Sequence, residues 1–174
     1  MIRHATAADA AQICDIYNWY IENTWITFEE ILLAPEQMAA RIAAAGPHRP
    51  WLVFESEGRI QGYAYAGEWK SRTAYRYTVE TTIYLDRNCQ RGGLGRQLYI
   101  RLIEMLRQTP VHSLIAGIAL PNTASVGLHE AMGFTKVAHF PEVGFKFRQW
   151  IDVGYWQLTL DNPEQAQAQE EAGP

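Results

Sequence analysis

The length, composition and charge of the chain fit one globular domain. Its 174 residues can bury a substantial core, and its 48% hydrophobic and 20% charged residues are ordinary for a folded protein. The net charge of −4 and the pI near 5.7 argue against a nucleic-acid or membrane-surface partner, because both select basic faces. We therefore expect a small-molecule ligand.

Signals for targeting and for metal binding are missing from the sequence. No apolar run reaches the roughly 18 residues of a membrane helix, and the N-terminus lacks a signal-peptide core, so we expect a cytoplasmic protein. The two cysteines, Cys14 and Cys89, have no Cys-x-x-Cys partner, and the five histidines show no metal-ligand spacing. We therefore expect no metal site.

The N-terminal segment predicts an edge strand and two helices. Ile2 can begin the strand, and a capping box at Thr6–Asp9 begins the first helix. Pro35 suits the first turn of the second helix, where its missing N–H costs nothing. The buried face of the first helix recurs at helical spacing: Ile13, Ile16, Tyr17, Tyr20 and Ile21.

The segment between these helices is apolar but not periodic. Trp25, Ile26 and Phe28 follow neither helical nor strand spacing, so they form either part of the core or the wall of a pocket. After the second helix, the residues over 51–54 and 59–66 predict an antiparallel pair of strands joined by a hairpin turn.

The stretch from Thr78 to Leu98 predicts a strand, a glycine turn and the start of a helix. Apolar and polar residues alternate over Thr78–Leu85, and three glycines then fall within four residues: Gly92, Gly93 and Gly95. Glycine lets the backbone approach a ligand closely, and the first N–H groups of a helix are unpaired donors. Such a turn suits a bound anion such as phosphate, and the alternative is a turn without a ligand.

Two phosphate-binding loops are excluded by single residues. A Walker-type loop needs Lys after its last glycine, whereas Gly95 is followed by Arg96. A dinucleotide fingerprint needs a third glycine where Leu98 stands. The pattern that does fit is Gln-x-x-Gly-x-Gly, which begins at Gln90.

The C-terminal half predicts a buried helix, an apolar strand, a further helix and two strands. The run from Val111 to Leu120 is typical of a strand covered on both faces, parallel to the strand before the glycine turn. Asn122 caps the next helix, and Gly133 ends it. The last two strands lie over 134–140 and 153–158.

The order of these elements is β-α-α-β-β-β-α-β-α-β-β. It predicts a mixed sheet flanked by helices, which is an α/β class. The acidic, Gln-rich segment 161–174 is expected to be a disordered tail, which leaves 1–160 as a single domain.

Beyond these elements, short motifs resemble a known family. The Gln-x-x-Gly-x-Gly pattern resembles the pyrophosphate motif of the GNAT N-acetyltransferases, and the order of elements is similar to their fold. Matches over Ile2–Leu160 resemble more closely the phosphinothricin and methionine sulfoximine acetyltransferases. These matches include Tyr63-Ala64-Tyr65-Ala66, Thr78-Val79-Glu80, Ile118-Ala119-Leu120-Pro121-Asn122, Ser125-Val126-Gly127-Leu128-His129-Glu130 and Asp152-Val153-Gly154-Tyr155-Trp156-Gln157. The resemblance implies a mostly antiparallel sheet of about seven strands, acetyl-CoA as co-substrate and a homodimer.

The resemblance also implies how acetyl-CoA is held. A bulge in the fourth strand would supply a backbone donor beside the pantetheine arm, and the pyrophosphate would lie over the glycine turn. Arg91 and Arg96 would add charge there; the alternative for either is a side chain that is only solvated. The implied contacts are Ile83, Tyr84, Leu85, Arg91, Gly92, Gly93, Leu94, Gly95, Arg96 and Asn122.

Glu80 is the candidate general base that takes the proton of the amine. It is the only carboxylate in the central strand, and strand alternation places it on one face with Arg76 and Thr82. A glutamate among apolar and hydroxyl neighbours can have a raised pKa, which suits proton transfer directly or through a water. The resemblance assigns this glutamate the same role. The alternative is an ion pair between Glu80 and Arg76.

His129 is the second candidate catalytic residue. Many acetyltransferases carry a tyrosine in the helix after the fifth strand, and the resemblance places His129 at that position, after Asn122 and Ser125. An imidazole with a pKa near 6.5 can donate a proton to a thiolate or relay the proton of the amine. The alternative is a histidine with satisfied hydrogen bonds in the core.

Cationic side chains lie in the loop that precedes the central strand. Anion recognition needs guanidinium or ammonium groups near the base, and the resembled enzymes act on amino acids with a second polar or anionic end. The candidate substrate contacts are Lys70, Ser71, Arg72, Glu80, Thr81 and Thr82. Lys146, contributed by a neighbouring subunit, is a further candidate.

The resemblance thus implies acetyl transfer to the α-amine of a small amino acid or analogue. The alternatives are acetylation of a peptide or protein N-terminus and a non-catalytic module that binds acyl-CoA. Trp25 departs from the family, which has a small hydroxyl residue at this position, and its indole could reshape the amine pocket.

Overall fold

The computed structural model describes residues 1–89 and 92–160. The positions of Gln90, Arg91 and the predicted tail 161–174 lie outside the described residues. The strands and α-helices of the described part are β1 (Ile2–His4), α1 (Ala10–Asn23), α2 (Pro35–Ala43), β2 (Trp51–Ser56), β3 (Arg59–Glu68), β4 (Thr78–Leu85), α3 (Leu94–Leu106), β5 (Ser113–Leu120), α4 (Thr123–Ala131), β6 (Thr135–Lys146) and β7 (Gln149–Thr159). Over these ranges, no helix combines the length and the apolar character needed to cross a membrane.

The strands form one seven-stranded sheet with the order β1-β2-β3-β4-β5-β7-β6. Every neighbouring pair is antiparallel except β4 and β5, which are parallel, as the apolar run of β5 predicts. The predicted element order and the mixed, mostly antiparallel sheet are therefore confirmed.

Helices cover both faces of the sheet. The apolar face of α1 and Met38 of α2 pack on one face with Val53, Tyr63 and Tyr84. Helix α3 packs on the opposite face, where Leu98, with no exposed surface, lies in the second core cluster. Successive side chains of β4 point alternately to these two clusters, which explains the alternation in its sequence.

β4 and β5 separate halfway along their length. They pair only at Thr78–Ser113, Val79–Leu114 and Glu80–Ile115. Both strands continue, to Leu85 and Leu120, paired with their outer neighbours β3 and β7. This splay leaves the β5-facing backbone of β4 open from residue 81 onward.

The opening beside β4 comes from its separation from β5 and not from the bulge in β4 that the resemblance implied. The register between β3 and β4 runs without a shift from Gly62–Leu85 to Glu68–Val79. The expectation of a bulge in this pairing is therefore wrong, and the opening beside β4 comes from the divergence of β5.

The C-terminal hairpin is longer than predicted. β6 and β7 extend to a tight turn at Phe147 and Arg148, whose φ angles are +50° and +62°. Such angles favour glycine or asparagine, so the sequence carried no signal for this turn. The strand β4 spans Thr78–Leu85, the range that the alternation predicts. Arg76, which the alternation had placed on the Glu80 face, lies outside β4 because it follows a short 3₁₀ helix at residues 73–75.

Candidate functional site

The glycine turn leads directly into α3. Gly92 and Gly93 have φ angles of +106° and +77°, which an L side chain rarely adopts, and both residues are exposed. The first helical hydrogen bond runs from Gln97 N–H to the carbonyl of Gly93. The three preceding N–H groups, of residues 94–96, therefore lie ahead of the helical ladder as donors for an anion.

The side chains around this turn divide into two roles. Leu94 is buried in the core, so only its backbone can face a ligand, whereas Arg96 is exposed beside the turn. A Cβ on Gly95 would stand 3.4 Å from Leu85 Cδ1 and 3.6 Å from Ile83 Cδ1. The turn thus lies directly against the end of β4. Arg91, predicted to add charge here, is outside the described residues.

A cavity of about 50 Å³ occupies the splay between β4 and β5. It brings together residues of β4, β5 and the α4 region and, from the segment between α1 and α2, Ile26. The lining consists of Ile26, Thr81, Thr82, Ile83, Tyr84, Gly117, Ile118, Ala119, Asn122, Ser125 and His129. Asn122 also caps α4, because its side-chain oxygen accepts a hydrogen bond from the N–H of Ser125 at 3.1 Å.

Glu80 lies where β4 and β5 begin to diverge, on the α1 face of the sheet. Its carboxylate is half-buried, and burial raises its pKa above the usual range while the charge of Lys70 opposes that rise. Across residues 1–89 and 92–160 it has no hydrogen-bond donor and no ion-pair partner. A carboxylate in this state is free to accept a proton.

The alternative ion pair with Arg76 is not formed. The Arg76 guanidinium donates to the carbonyl of Thr73 and lies 4.5 Å from the centre of the Tyr77 ring. Lys70 is the cation that acts on the pKa of Glu80.

His129 has 3% of its surface exposed and lines the inner end of the cavity. Its Nδ1 lies 2.7 Å from the carbonyl oxygen of Ser125, which can only accept, so Nδ1 carries the proton. Burial lowers the pKa of the imidazole. The ring is therefore neutral and hydrogen-bonded, and it also faces the space where β4 and β5 separate.

The predicted substrate contacts occupy different surroundings. Thr82 shares the face of Glu80 and pairs with Tyr65, whereas the hydroxyl of Thr81 is buried on the opposite face, 3.1 Å from the hydroxyl of Tyr99. Lys70, Ser71 and Arg72 are exposed. They line a groove of about 290 Å³ together with Arg49, Glu68, Arg76 and Thr78.

The segment between α1 and α2 meets the C-terminal hairpin. Lys146 is 2% exposed and donates to the carbonyl of Thr27 of the same chain at 2.8 Å, and burial lowers its pKa. The ring of Phe28 lies on Gly144, where a Cβ would collide with it. Trp25 is half-buried in this segment, and Ile26 reaches the cavity.

Three residues of the site carried no local sequence signal. Tyr99 lies in an ordinary buried position of α3, and Gly117 and Tyr155 lie in strands that pair across the sheet. Their role depends on contacts between distant parts of the chain. Within the described ranges, no group of three or more His, Cys, Asp or Glu side chains is placed to hold a metal ion.

Comparisons with known proteins show which family the whole chain resembles. A model of the acetyltransferase (GNAT) domain matches residues 2–154. The chain is 43% identical to phosphinothricin N-acetyltransferase of Streptomyces viridochromogenes, over 93% of this chain and 88% of that protein. It is 40% identical to the L-methionine sulfoximine/L-methionine sulfone acetyltransferase of Salmonella typhimurium, over 92% of this chain and 94% of that one.

A solved structure is also similar over nearly the whole chain. The structure of yncA from Salmonella typhimurium, determined with its cofactor acetyl-CoA, superposes with a TM-score of 0.90 at 39% identity. The match covers 93% of this chain and 94% of that one.

Proposed function

This chain belongs to the GNAT acetyltransferase family and is an acetyl-CoA-dependent N-acetyltransferase, and we propose that it acetylates the α-amine of a small amino acid or amino-acid analogue. The proposed substrates are of the phosphinothricin and methionine sulfoximine type, the compounds for which its relatives are named.

The position of Glu80 is the observation that carries the proposal. Its half-buried carboxylate lies at the last β4–β5 pair, next to the cavity that opens beyond it. Burial raises its pKa, so the carboxylate accepts a proton more readily than an exposed one. We assign Glu80 the role of general base toward the amine.

The splay and the glycine turn are suited to acetyl-CoA, which supplies the acetyl thioester. The donors of residues 94–96 would hold the pyrophosphate, with Gly92 and Gly93 giving close access to the backbone. Ile83, Tyr84, Leu85 and Asn122 would border the pantetheine arm. The contact of Gly95 with Leu85 joins these two regions.

His129 is proposed as the second group that holds a proton at the site. It carries this proton on Nδ1, and its ring borders the same cavity as Thr82 and Gly117. Lys70, Ser71 and Arg72 are proposed to attract the anionic end of the substrate, and Lys70 also acts on Glu80.

The substrate proposal is tested with a panel of amines and acetyl-CoA, followed by free-thiol release and product mass. The panel contains phosphinothricin, methionine sulfoximine, methionine sulfone, the common amino acids, polyamines and short peptides. We expect the three analogues to be acetylated on the α-amine. Faster turnover of peptides would favour a peptide N-terminal acetyltransferase, and cofactor binding without any product would favour a non-catalytic module.

The role of Glu80 is tested in the same assay with Glu80→Gln. The rate should fall about 10²-fold or more while acetyl-CoA affinity stays nearly constant. Because burial disfavours the ionised form of Glu80, the neutral amide should also raise the Tm at pH 7. Glu104→Gln, on the exposed surface of α3, is the matched control and should change neither value. Full activity of Glu80→Gln would remove the assignment.

We further propose a homodimer that forms through the β6–β7 hairpin. The hairpin carries large apolar side chains that are 49–61% exposed: Phe140, Val143, Phe145, Phe147 and Trp150. β6 is also an edge strand of the sheet, so one side of its backbone lacks a neighbouring strand in the described chain. Several large exposed apolar side chains on an open edge are typical of a protein interface, and a second copy is the partner that is always present.

A further inference from the structure

Gly117 lies on the same face of the sheet as Glu80. Ile115 pairs with Glu80, and strand alternation places Gly117, two residues later, on that face. Across the β5–β7 ladder, Gly117 pairs with Tyr155. The backbone of Gly117 therefore lies between the proposed base, Glu80, on one side and the aromatic ring of Tyr155 on the other.

A side chain at this position would fill that space. A Cβ built on Gly117 would stand 3.1 Å from Cε1 of Tyr155 and 3.2 Å from Oε1 of Glu80. Both distances are shorter than ordinary van der Waals contacts. Gly117 is nevertheless exposed, so beyond these two neighbours the space above its backbone is open to solvent.

Aromatic rings form the wall of this open volume. The Tyr155 ring meets Trp69 edge-on at 5.5 Å and Phe140 edge-on at 5.7 Å, measured between ring centres. At the rim, the ammonium group of Lys70 lies 4.8 Å from the centre of the Trp69 ring. The volume thus combines an apolar wall with one cation at its edge.

We propose that Gly117 is a specificity-determining residue, which leaves room for the side chain of the substrate between Glu80 and the Tyr155 wall. This inference rests on the proposed function and narrows its substrate class. The site selects amino acids whose side chain extends beyond Cβ as an unbranched apolar stem with a polar end. The stem lies over the Gly117 backbone against Tyr155, and the polar end reaches Lys70.

The experiment compares one long and one short substrate with the same α-amino acid head. The kcat/KM values for methionine sulfone and 2-aminobutyrate are measured in the wild type, Gly117→Ala and Gly117→Val. We expect Gly117→Val to lower the ratio of the two values, long over short, by about ten-fold or more, with Gly117→Ala shifting it less in the same direction.

The ratio of the two kcat/KM values distinguishes a loss of space for the long side chain from a general disturbance of the site. Displacing the Glu80 carboxylate would slow both substrates alike, so a large fall in both rates with an unchanged ratio overturns the proposal. Gly127→Ala is the matched control, because its Cβ would have no neighbour within 4 Å and the ratio should stay at the wild-type value. The Tm and acetyl-CoA affinity of each variant show whether it is folded, and Gly117→Ala decides the question if Gly117→Val does not fold.

The same data distinguish this inference from the proposed function. If the wild type acetylates neither amino acid, the substrate class itself is withdrawn. If it acetylates both and the ratio does not respond to Gly117→Ala or Gly117→Val, only the role of Gly117 is withdrawn.

Discussion

The hydroxyl oxygen of Tyr99 lies 2.8 Å from Nε2 of His129, so α3 and α4 are joined by a buried hydrogen bond at the back of the cavity. Since Nδ1 carries the proton toward the Ser125 carbonyl, Nε2 is the acceptor and the Tyr99 hydroxyl donates to it. This pair keeps the imidazole neutral and fixes its tautomer.

The buried imidazole should make stability depend on pH. Burial holds the pKa of His129 below its ordinary value, so the unfolded chain binds a proton more readily than the folded one. Its contribution to stability is complete above pH ~6.5 and is lost as the pH falls through the lower folded-state value. Thermal unfolding between neutral and mildly acidic pH should therefore show a steeper loss of Tm in the wild type than in His129→Phe. His112→Phe, on an exposed histidine, is the control.

Removing the partner of this imidazole should also be measurable. Tyr99→Phe leaves Nε2 of His129 buried without its donor, which costs about 1–3 kcal/mol. The prediction is a lower free energy of unfolding in urea at pH 8, where the imidazole is neutral in both states. Wild-type stability of Tyr99→Phe would show that another donor reaches Nε2.

Replacing Lys70 should move the pH dependence of the reaction. The base must be deprotonated, so the acidic limb of the kcat/KM profile reports the pKa of Glu80. Lys70 lowers that pKa, and Lys70→Met should therefore shift the limb to higher pH. Lys136→Met removes an equal charge near Trp156 and should leave the limb in place. If both variants keep the wild-type limb, the limb belongs to a group other than Glu80.

Two glycines with nearly equal positive φ angles allow a matched test of the turn before α3. Gly93 and Gly58 have φ angles of +77° and +74°, and a Cβ on either would have no neighbour within 4 Å. Alanine therefore costs a similar backbone strain at both positions, about 1–2 kcal/mol. Gly93→Ala should weaken acetyl-CoA binding, measured by isothermal titration, about ten-fold or more. Gly58→Ala should leave that affinity unchanged, because Gly58 lies in the β2–β3 hairpin and not in the proposed pyrophosphate turn. Equal affinities in the two variants would place the pyrophosphate elsewhere.

The proposed dimer predicts a sensitive position on the C-terminal hairpin. Trp150 is 61% exposed and packs 4.9 Å from Phe145, measured between ring centres. Trp150→Lys places a charge among the apolar side chains of the hairpin and should shift the mass measured by analytical ultracentrifugation from dimer to monomer. Tyr75→Lys, on an exposed aromatic outside the hairpin, should leave the mass unchanged. A wild-type protein that sediments as a monomer at all concentrations would end the proposal.

Periodic sequence patterns predicted most of the fold. The spacing from Ile13 to Ile21 placed the buried face of α1, and all of its predicted residues are buried. Gly133 ends the region of α4 with a φ of +90°, as expected for a helix terminus. The hairpin was shortened in the prediction because Phe147 and Arg148 adopt positive φ without the residues that usually signal such a turn.

The site was predictable only where its residues lie on one element. Strand alternation identified Glu80, because the signal needs nothing outside β4. Gly117 and Tyr155 come next to Glu80 only through the β4–β5 and β5–β7 pairings, and Tyr99 meets His129 only through the packing of α3 on α4. Contacts of this kind depend on tertiary structure, which spacing along the chain does not encode.

The splay between β4 and β5 divides the sheet into two parts, β1–β4 and β5–β7, joined by three residue pairs. Backbone amides of residues 81–85 that point toward β5 lack the ladder partners that protect amides elsewhere in the sheet, so they should exchange hydrogen with solvent faster than their β3-facing neighbours. A ligand that fills the gap would take the place of those partners. If acetyl-CoA occupies this gap as proposed, it should slow exchange along this edge and raise the cooperativity of unfolding, and the co-substrate would then act as a structural element of the sheet.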